Sequence, residues 1–255
     1  MLLAEIHGKR FGELEGQEDL LTSAVFGHLR HVPPQVFWTD LFKRAASTRT
    51  DSKSLELHVQ ETGNTISRYS SLDVLFWRTC GKYGEPDLIL RFAGGNQDPL
   101  VVVVEVKLDS GKSGTGSDDQ LKRYLDLLDE AAALPFWSPS ADNRILVYLT
   151  RNFAHDEIKE SVRLATASGK HNAVDRIFGL QWQDVLAVAD ANSNKSFLLQ
   201  ELAAFLRIRD FEAFQGFGLS SALPRASGCF YGRRYFLAPT KTLTLEHKIG
   251  RFYGA

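Results

Sequence analysis

Apolar residues recur at helical spacing over residues 15–32, where Leu20, Leu21, Ala24, Val25, Leu29 and Val32 predict a first helix that Pro33-Pro34 stops. The pattern then changes. Leu55, Leu57 and Val59 alternate with polar neighbours, which predicts a strand over 54–60 in an otherwise polar stretch. The apolar run LDVLFWRT predicts another over 72–79. Two further strands, 87–92 and 100–108, flank Gly94-Gly95-Asn96, a turn signal that predicts an antiparallel hairpin. Over 118–134, Leu121, Tyr124, Leu125, Leu128 and Ala132 form one apolar stripe, so this segment reads as a helix packed on the sheet, with Ser117 or Asp118 as its cap.

The second half alternates. A strand over 144–150, a helix over 156–168 and a strand over 174–182 precede two helices near 183–190 and 195–207. The expected class is α/β, a mixed central sheet with helices on both faces. From residue 211 the chain turns rich in glycine, aromatic and basic residues. The division expected is therefore a domain over 1–210 and an extension over 211–255 packed on it, whose FEAFQGF stretch equally suits an oligomer contact.

Composition narrows this picture little. Thirty basic residues against thirty-one acidic ones leave the chain near neutrality, so any nucleic-acid surface must be a local patch. Cys80 and Cys229 are too few for a disulfide framework, which favours a reducing compartment. The start MLLAEIHGKR has too short an apolar run for a signal peptide, and no stretch approaches the roughly 20 apolar residues of a membrane span. The expectation is a cytoplasmic protein.

The stretch VVVVEVKLDSGKSGTGS, residues 101–117, carries the chemistry. A phosphate loop would need glycine five residues before Gly111, and Val106 stands there, so Gly-Lys-Ser reads as connector composition and Lys112 as at most an auxiliary phosphate contact. Alternation along the strand puts Glu105 and Lys107 on one side and Val104 and Val106 on the other. Across the hairpin, Asp87 falls near Glu105. Two carboxylates beside a lysine suit Mg²⁺ or Mn²⁺, which completes its shell with water and phosphate oxygens, and the chemistry implied is phosphodiester hydrolysis. A plain salt-bridged surface group fits the same spacing. His28 and His31, three apart on the first helix, have no third ligand in view.

Glu85-Pro86-Asp87, seventeen intervening residues and Glu105-Val106-Lys107 resemble the signature of the PD-(D/E)XK nuclease superfamily. Gln120 and Tyr124, four apart in the helix that follows, resemble the QxxxY motif of its RecB-like branch. The resemblance spans about residues 15–182 and implies a restriction-endonuclease-like αβββαβ core. It implies Asp87, Glu105 and the main-chain carbonyl of Val106 as metal ligands, and Lys107 activating or positioning water. Gln120 and Tyr124 would hold the substrate side. An acidic residue of the first helix would assist the metal. Glu18 is preferred over Asp19 because it shares a face with Leu21, Val25 and Leu29. The expected activity is cleavage of DNA, in restriction, repair or anti-phage defence, with RNA as another substrate. The alternative is a nuclease-fold module that binds nucleic acid or protein without turnover. Arg233 and Arg234, among the tail's aromatics, are further candidates for nucleic-acid contact.

Overall fold

The computed structural model of the chain describes residues 15–49, 52–130, 132–135 and 140–212. The chain divides into two compact units at Ala213/Phe214, and the second unit lies outside the described residues, with Arg233 and Arg234 in it. The second unit begins three residues after the expected 211, and Phe211 is buried against Trp182, ring centroids 5.4 Å apart.

Among the described residues three α-helices precede the sheet: α1 (Glu15–Leu29), α2 (Pro34–Phe42) and α3 (Leu55–Glu61). α1 ends at Leu29, three residues short of the Val32 expected, and Pro34 opens α2 at a first-turn position, where a missing N–H costs nothing. That helix was not foreseen. It delivers Phe37, Trp38, Leu41 and Phe42 to the core. The strand expected over 54–60 is instead α3: the Ser54 side chain caps it by accepting from the Leu57 N–H, and Leu55, His58 and Val59 are buried at helical spacing. Leu57, which the alternation placed inside, is exposed.

The sheet has five strands in the order β1 (Ser71–Phe76), β2 (Leu88–Ala93), β3 (Leu100–Val106), β4 (Arg144–Thr150) and β5 (Ile177–Gln181). β1 to β3 form an antiparallel meander, whereas β3, β4 and β5 run parallel, so the sheet is mixed. The hairpin turn is the one expected: Gly94, Gly95 and Asn96 all have left-handed φ. A Cβ on Gly95 would meet the Arg68 carbonyl oxygen at 2.3 Å, so only glycine fits.

Between β3 and β4 lies α4 (Gln120–Asp129), shorter than the 118–134 expected and capped by Asp119 rather than Ser117 or Asp118. α5 (His155–Ala167) joins β4 to β5, and α6 (Trp182–Ala191) and α7 (Phe197–Ile208) complete the unit. Strands covered on both faces read as near-continuous apolar runs, and β3 does so but for Glu105. Val102, Val104 and Val106 pack with α1, α2, α6 and α7, while Val101 and Val103 face α4 and α5. Among the described residues no helix is long and apolar enough to cross a membrane.

Candidate active site

The hairpin register builds the site. Leu88 pairs with Val104, so one step toward the open end sets Asp87 opposite Glu105. Just before it, Pro86 is buried and Glu85 is exposed, its carboxylate accepting from the Thr79 hydroxyl at 3.2 Å. Next to β1, Trp77 takes φ +45°, unusual for a bulky side chain, and its N–H donates to the Asp87 carbonyl at 3.0 Å. The backbone carrying Asp87 is thereby pinned from the β1 side as well as the β3 side.

Asp87, Glu105 and Lys107 are all buried, 8%, 2% and 9% exposed, which is costly for charged groups unless each has partners. Asp87 Oδ2 accepts from the Val106 N–H at 2.8 Å. Glu105 Oε1 accepts from Lys107 Nζ at 2.6 Å and from Gln120 Nε2 at 2.7 Å. Gln120 Nε2 also donates to the Tyr124 hydroxyl at 3.3 Å, and the Ser113 N–H donates to Gln120 Oε1 at 3.1 Å, which fixes the amide with its nitrogen toward Glu105. Glu18 reaches in from α1. Its Oε1 accepts from Lys107 Nζ at 3.2 Å and its Oε2 from the Leu108 N–H at 2.8 Å.

Six residues expected at the site are therefore brought together: Glu18, Asp87, Glu105, Lys107, Gln120 and Tyr124. Val106 lies at the end of β3 among them. Burial pushes the Asp87 carboxyl well above its ordinary range, and the neighbouring charge of Glu105 adds to this. Burial likewise raises Glu105, against the pull of Lys107. Burial alone would lower the Lys107 ammonium, but Glu105, Glu18 and Asp87 outweigh it, so its pKa is raised and it stays protonated at neutral pH. Tyr124 is raised by burial and by Glu105, and remains a neutral phenol.

Whether these groups suit a divalent cation turns on their free oxygens. Glu105 Oε2 is buried and has no hydrogen-bond partner, an orphaned acceptor of the kind a cation would satisfy. Asp87 spends one oxygen on a backbone N–H and keeps the other. These two carboxylates fit a hard cation that keeps several waters. Glu18 fits less well as a ligand, since both its oxygens are taken by Lys107 and Leu108, and it buttresses the lysine instead. Among the described residues no three His, Cys, Asp or Glu side chains form a metal-binding group.

Lys112 is not placed for a phosphate. Its ammonium is committed to Asp119 Oδ2, to Ser161 Oγ at 2.6 Å and to the Glu157 carbonyl at 3.1 Å. Asp119 in turn caps α4 through the Lys122 N–H at 2.9 Å, and Glu157 accepts from the Lys112 N–H at 3.0 Å and the Tyr148 hydroxyl at 2.7 Å. The connector over 109–119 is thus bolted to α5, and with it the start of the helix that carries Gln120. Sequence reasoning missed these anchors, because nothing in the spacing of Lys112, Asp119 and Ser161 marks them as partners. It also missed Trp182, whose Nε1 donates to the Lys107 carbonyl at 3.3 Å.

Other candidates dissolve. His28 Nδ1 lies 2.6 Å from the Ala24 carbonyl and His31 accepts from Arg30, so the pair makes no joint site. Burial raises the Cys80 thiol, which leaves it unreactive. Comparison with family models, with curated proteins and with solved structures found no match for this chain.

Proposed function

We propose that this chain is a divalent-metal-dependent nuclease that hydrolyses phosphodiester bonds of DNA through a restriction-endonuclease-like core. The observation that carries the reading is the buried Asp87–Glu105 pair, with raised carboxyl pKa values and an orphaned oxygen, closed by a charged lysine and by Gln120 and Tyr124. The order of a helix, a three-strand meander, α4 and a parallel β4 agrees with the core that the motif resemblance implies.

In this reading Asp87 and Glu105 hold Mg²⁺ or Mn²⁺, which supplies polarisation of the phosphoryl group and a more acidic bound water. Lys107 works as a cation and donor, not as a base, because it stays protonated. Held between Glu105 and Glu18, it orients the attacking water and offsets charge that grows on the phosphoryl oxygens. Gln120 and Tyr124 keep Glu105 in place, and the neutral Tyr124 hydroxyl can donate to the substrate side. Restriction, repair or anti-phage defence is the biological setting such an activity would serve.

A second reading is a binding module without turnover. Its support is that no three-membered ligand group stands among the described residues and that an ammonium already covers Glu105 Oε1. One assay separates the two. The protein is incubated with supercoiled, linear and single-stranded DNA and with RNA, in Mg²⁺, Mn²⁺ or chelator, beside Lys107→Ala and Asp87→Ala. Metal-dependent cleavage lost in both variants is expected. Binding without cleavage selects the module, and cleavage surviving both substitutions refutes the assigned site. Faster cutting of RNA would reassign the substrate alone.

A further inference from the structure

A cleft of about 460 Å³ runs along α4 beside the turn that precedes Asp87. Lys82, Tyr83, Arg123 and Lys170 line it together with Asp126, Asp129 and Glu130. Its charges are unevenly paired. Asp126 is met by Lys122 at 2.9 Å and Lys170 at 3.3 Å, and Asp129 by Lys170 and Arg176. Glu130 is exposed, and Lys82 and Arg123 make no ion pair among the described residues. Three cations and three carboxylates line the cleft, but Lys170 is engaged by Asp126 and Asp129, so Lys82 and Arg123 are the lining cations left without a carboxylate partner.

Arg123 adds a second observation. Its Nε is buried and has no acceptor, so a donor of fixed direction stands desolvated and unmet at the cleft wall. Also in the lining, Lys82 Nζ lies 5.1 Å from the centre of the Tyr83 ring, setting a cation beside an aromatic face. A ligand that offers oxygens with negative charge would satisfy the guanidinium, and phosphate matches its fork. The cleft is linked to Tyr124 through its lining residues. Arg123 is the residue before Tyr124, and a Cβ on Gly84 would lie 3.9 Å from Tyr124 Cε1, so the turn bearing Lys82 and Tyr83 packs against the ring that borders Glu105.

We propose that this cleft is a phosphate subsite, in which Arg123 and Lys82 hold a phosphate of a nucleic-acid strand and Tyr83 packs against the sugar or base beside it. The strand as source of that phosphate rests on the nuclease reading; the phosphate site itself does not. It would grip the substrate away from the bond that is cut, so its loss weakens binding without removing the groups at Glu105.

Two measurements on the full chain test it. Fluorescence anisotropy with a short labelled single-stranded DNA, in chelator to prevent cleavage, is run across a salt series for the wild type, Arg123→Gln, Lys82→Gln, Tyr83→Ala and the exposed control Lys159→Gln. Each cation removed is expected to weaken binding about fivefold and to reduce the salt slope by about 0.7, the single-strand value per phosphate contact, with the control unchanged. In parallel, the Arg123 Nε–H signal is followed by NMR during titration with inorganic phosphate and with thymidine monophosphate; both should shift it, and Tyr83→Ala should weaken only the nucleotide. DNA binding with the same affinity and salt slope in Arg123→Gln and Lys82→Gln overturns the subsite while leaving the nuclease reading intact. Phosphate binding that needs Lys82, in a protein that neither binds nor cuts nucleic acid, upholds the subsite for a free phosphorylated ligand and refutes the nuclease. No response to either ligand overturns the proposal.

Discussion

Lys107→Met removes the cation from the site while keeping most of the stem's packing, and its cost can be bounded. Without the ammonium, Glu105 keeps only neutral donors, Gln120 Nε2 at 2.7 Å and the Tyr124 hydroxyl, and stays 2% exposed. A carboxylate so placed need not remain charged, because it can take up a proton, and that escape limits the penalty. At pH 7 the proton must be acquired two and a half pH units above the ordinary glutamate value of 4.5, each unit being worth about 1.4 kcal/mol. The limit for Glu105 is thus about 3 kcal/mol, and lower to the extent that its pKa is already raised in the wild type.

The pH dependence follows from the same reasoning. A carboxyl with a raised pKa in the folded state contributes stability that is full below its unfolded pKa and lost as pH rises through the folded one. The variant raises Glu105 further, so its deficit against the wild type should shrink on acidification, to under about 1 kcal/mol at pH 5. Urea unfolding in chelator at pH 5, 6 and 7 measures it. Lys107→Met/Glu105→Gln should recover much of the loss at pH 7, since no buried charge is then stranded. A deficit that stays constant from pH 5 to 7, or a double variant no better than the single one, would refute the account.

Other outcomes follow from the same contacts. Asp87→Asn should abolish cleavage yet raise stability near pH 8 by on the order of 1 kcal/mol, read as a higher Tm, because burial and Glu105 hold that carboxyl above its ordinary pKa and its charge opposes folding there. Lys112→Met strands the 1% exposed Asp119 carboxylate and should cost roughly 3 kcal/mol in urea unfolding; any surviving folded fraction should cut DNA more slowly, since Gln120 begins the helix that Asp119 caps. Gly95→Ala should cost about 2 kcal/mol or more by thermal denaturation, its Cβ meeting the Arg68 carbonyl oxygen at 2.3 Å with φ at +71°. Ser54→Ala should cost only about 1 kcal/mol, the ordinary value of a lost N-cap.

Where the sequence succeeded as a guide, the deciding contacts were local. β4 was legible to the residue because RILVYLT is apolar on both faces, as a covered parallel strand must be. The hairpin was legible from Gly94-Gly95-Asn96, since few residues tolerate those φ values. Where it failed, the pattern was ambiguous and contacts outside it decided. Leu55, Leu57 and Val59 suit a strand as well as a helix, and the balance was tipped by the Ser54 cap and by His58 packing 5.7 Å from Phe178. Pro33-Pro34 read as a stop because its second role, opening α2, shows only in the burial of Phe37, Trp38, Leu41 and Phe42. At the site, alternation along β3 and the four-residue step from Gln120 to Tyr124 carried the reading. That Glu18 props Lys107, and that Lys112 is spent on Asp119 and Ser161, depend on partners as many as 89 residues apart.

The open end of the β2–β3 hairpin has a consequence for how such chemistry can vary among proteins. Asp87 faces Glu105 because both stand one step past Leu88 and Val104, and that alignment holds however far away the closed end lies. Lengthening both strands by one residue each would add two residues between the carboxylates and move neither with respect to the other; changing the turn would alter the count by any number the loop can absorb. Only a slip of one strand against the other would part them. Separation in the chain is therefore a poor measure of kinship for this arrangement, and a search that fixed the interval at seventeen residues would pass over chains with the same geometry. What descent must preserve is register at the mouth of the hairpin.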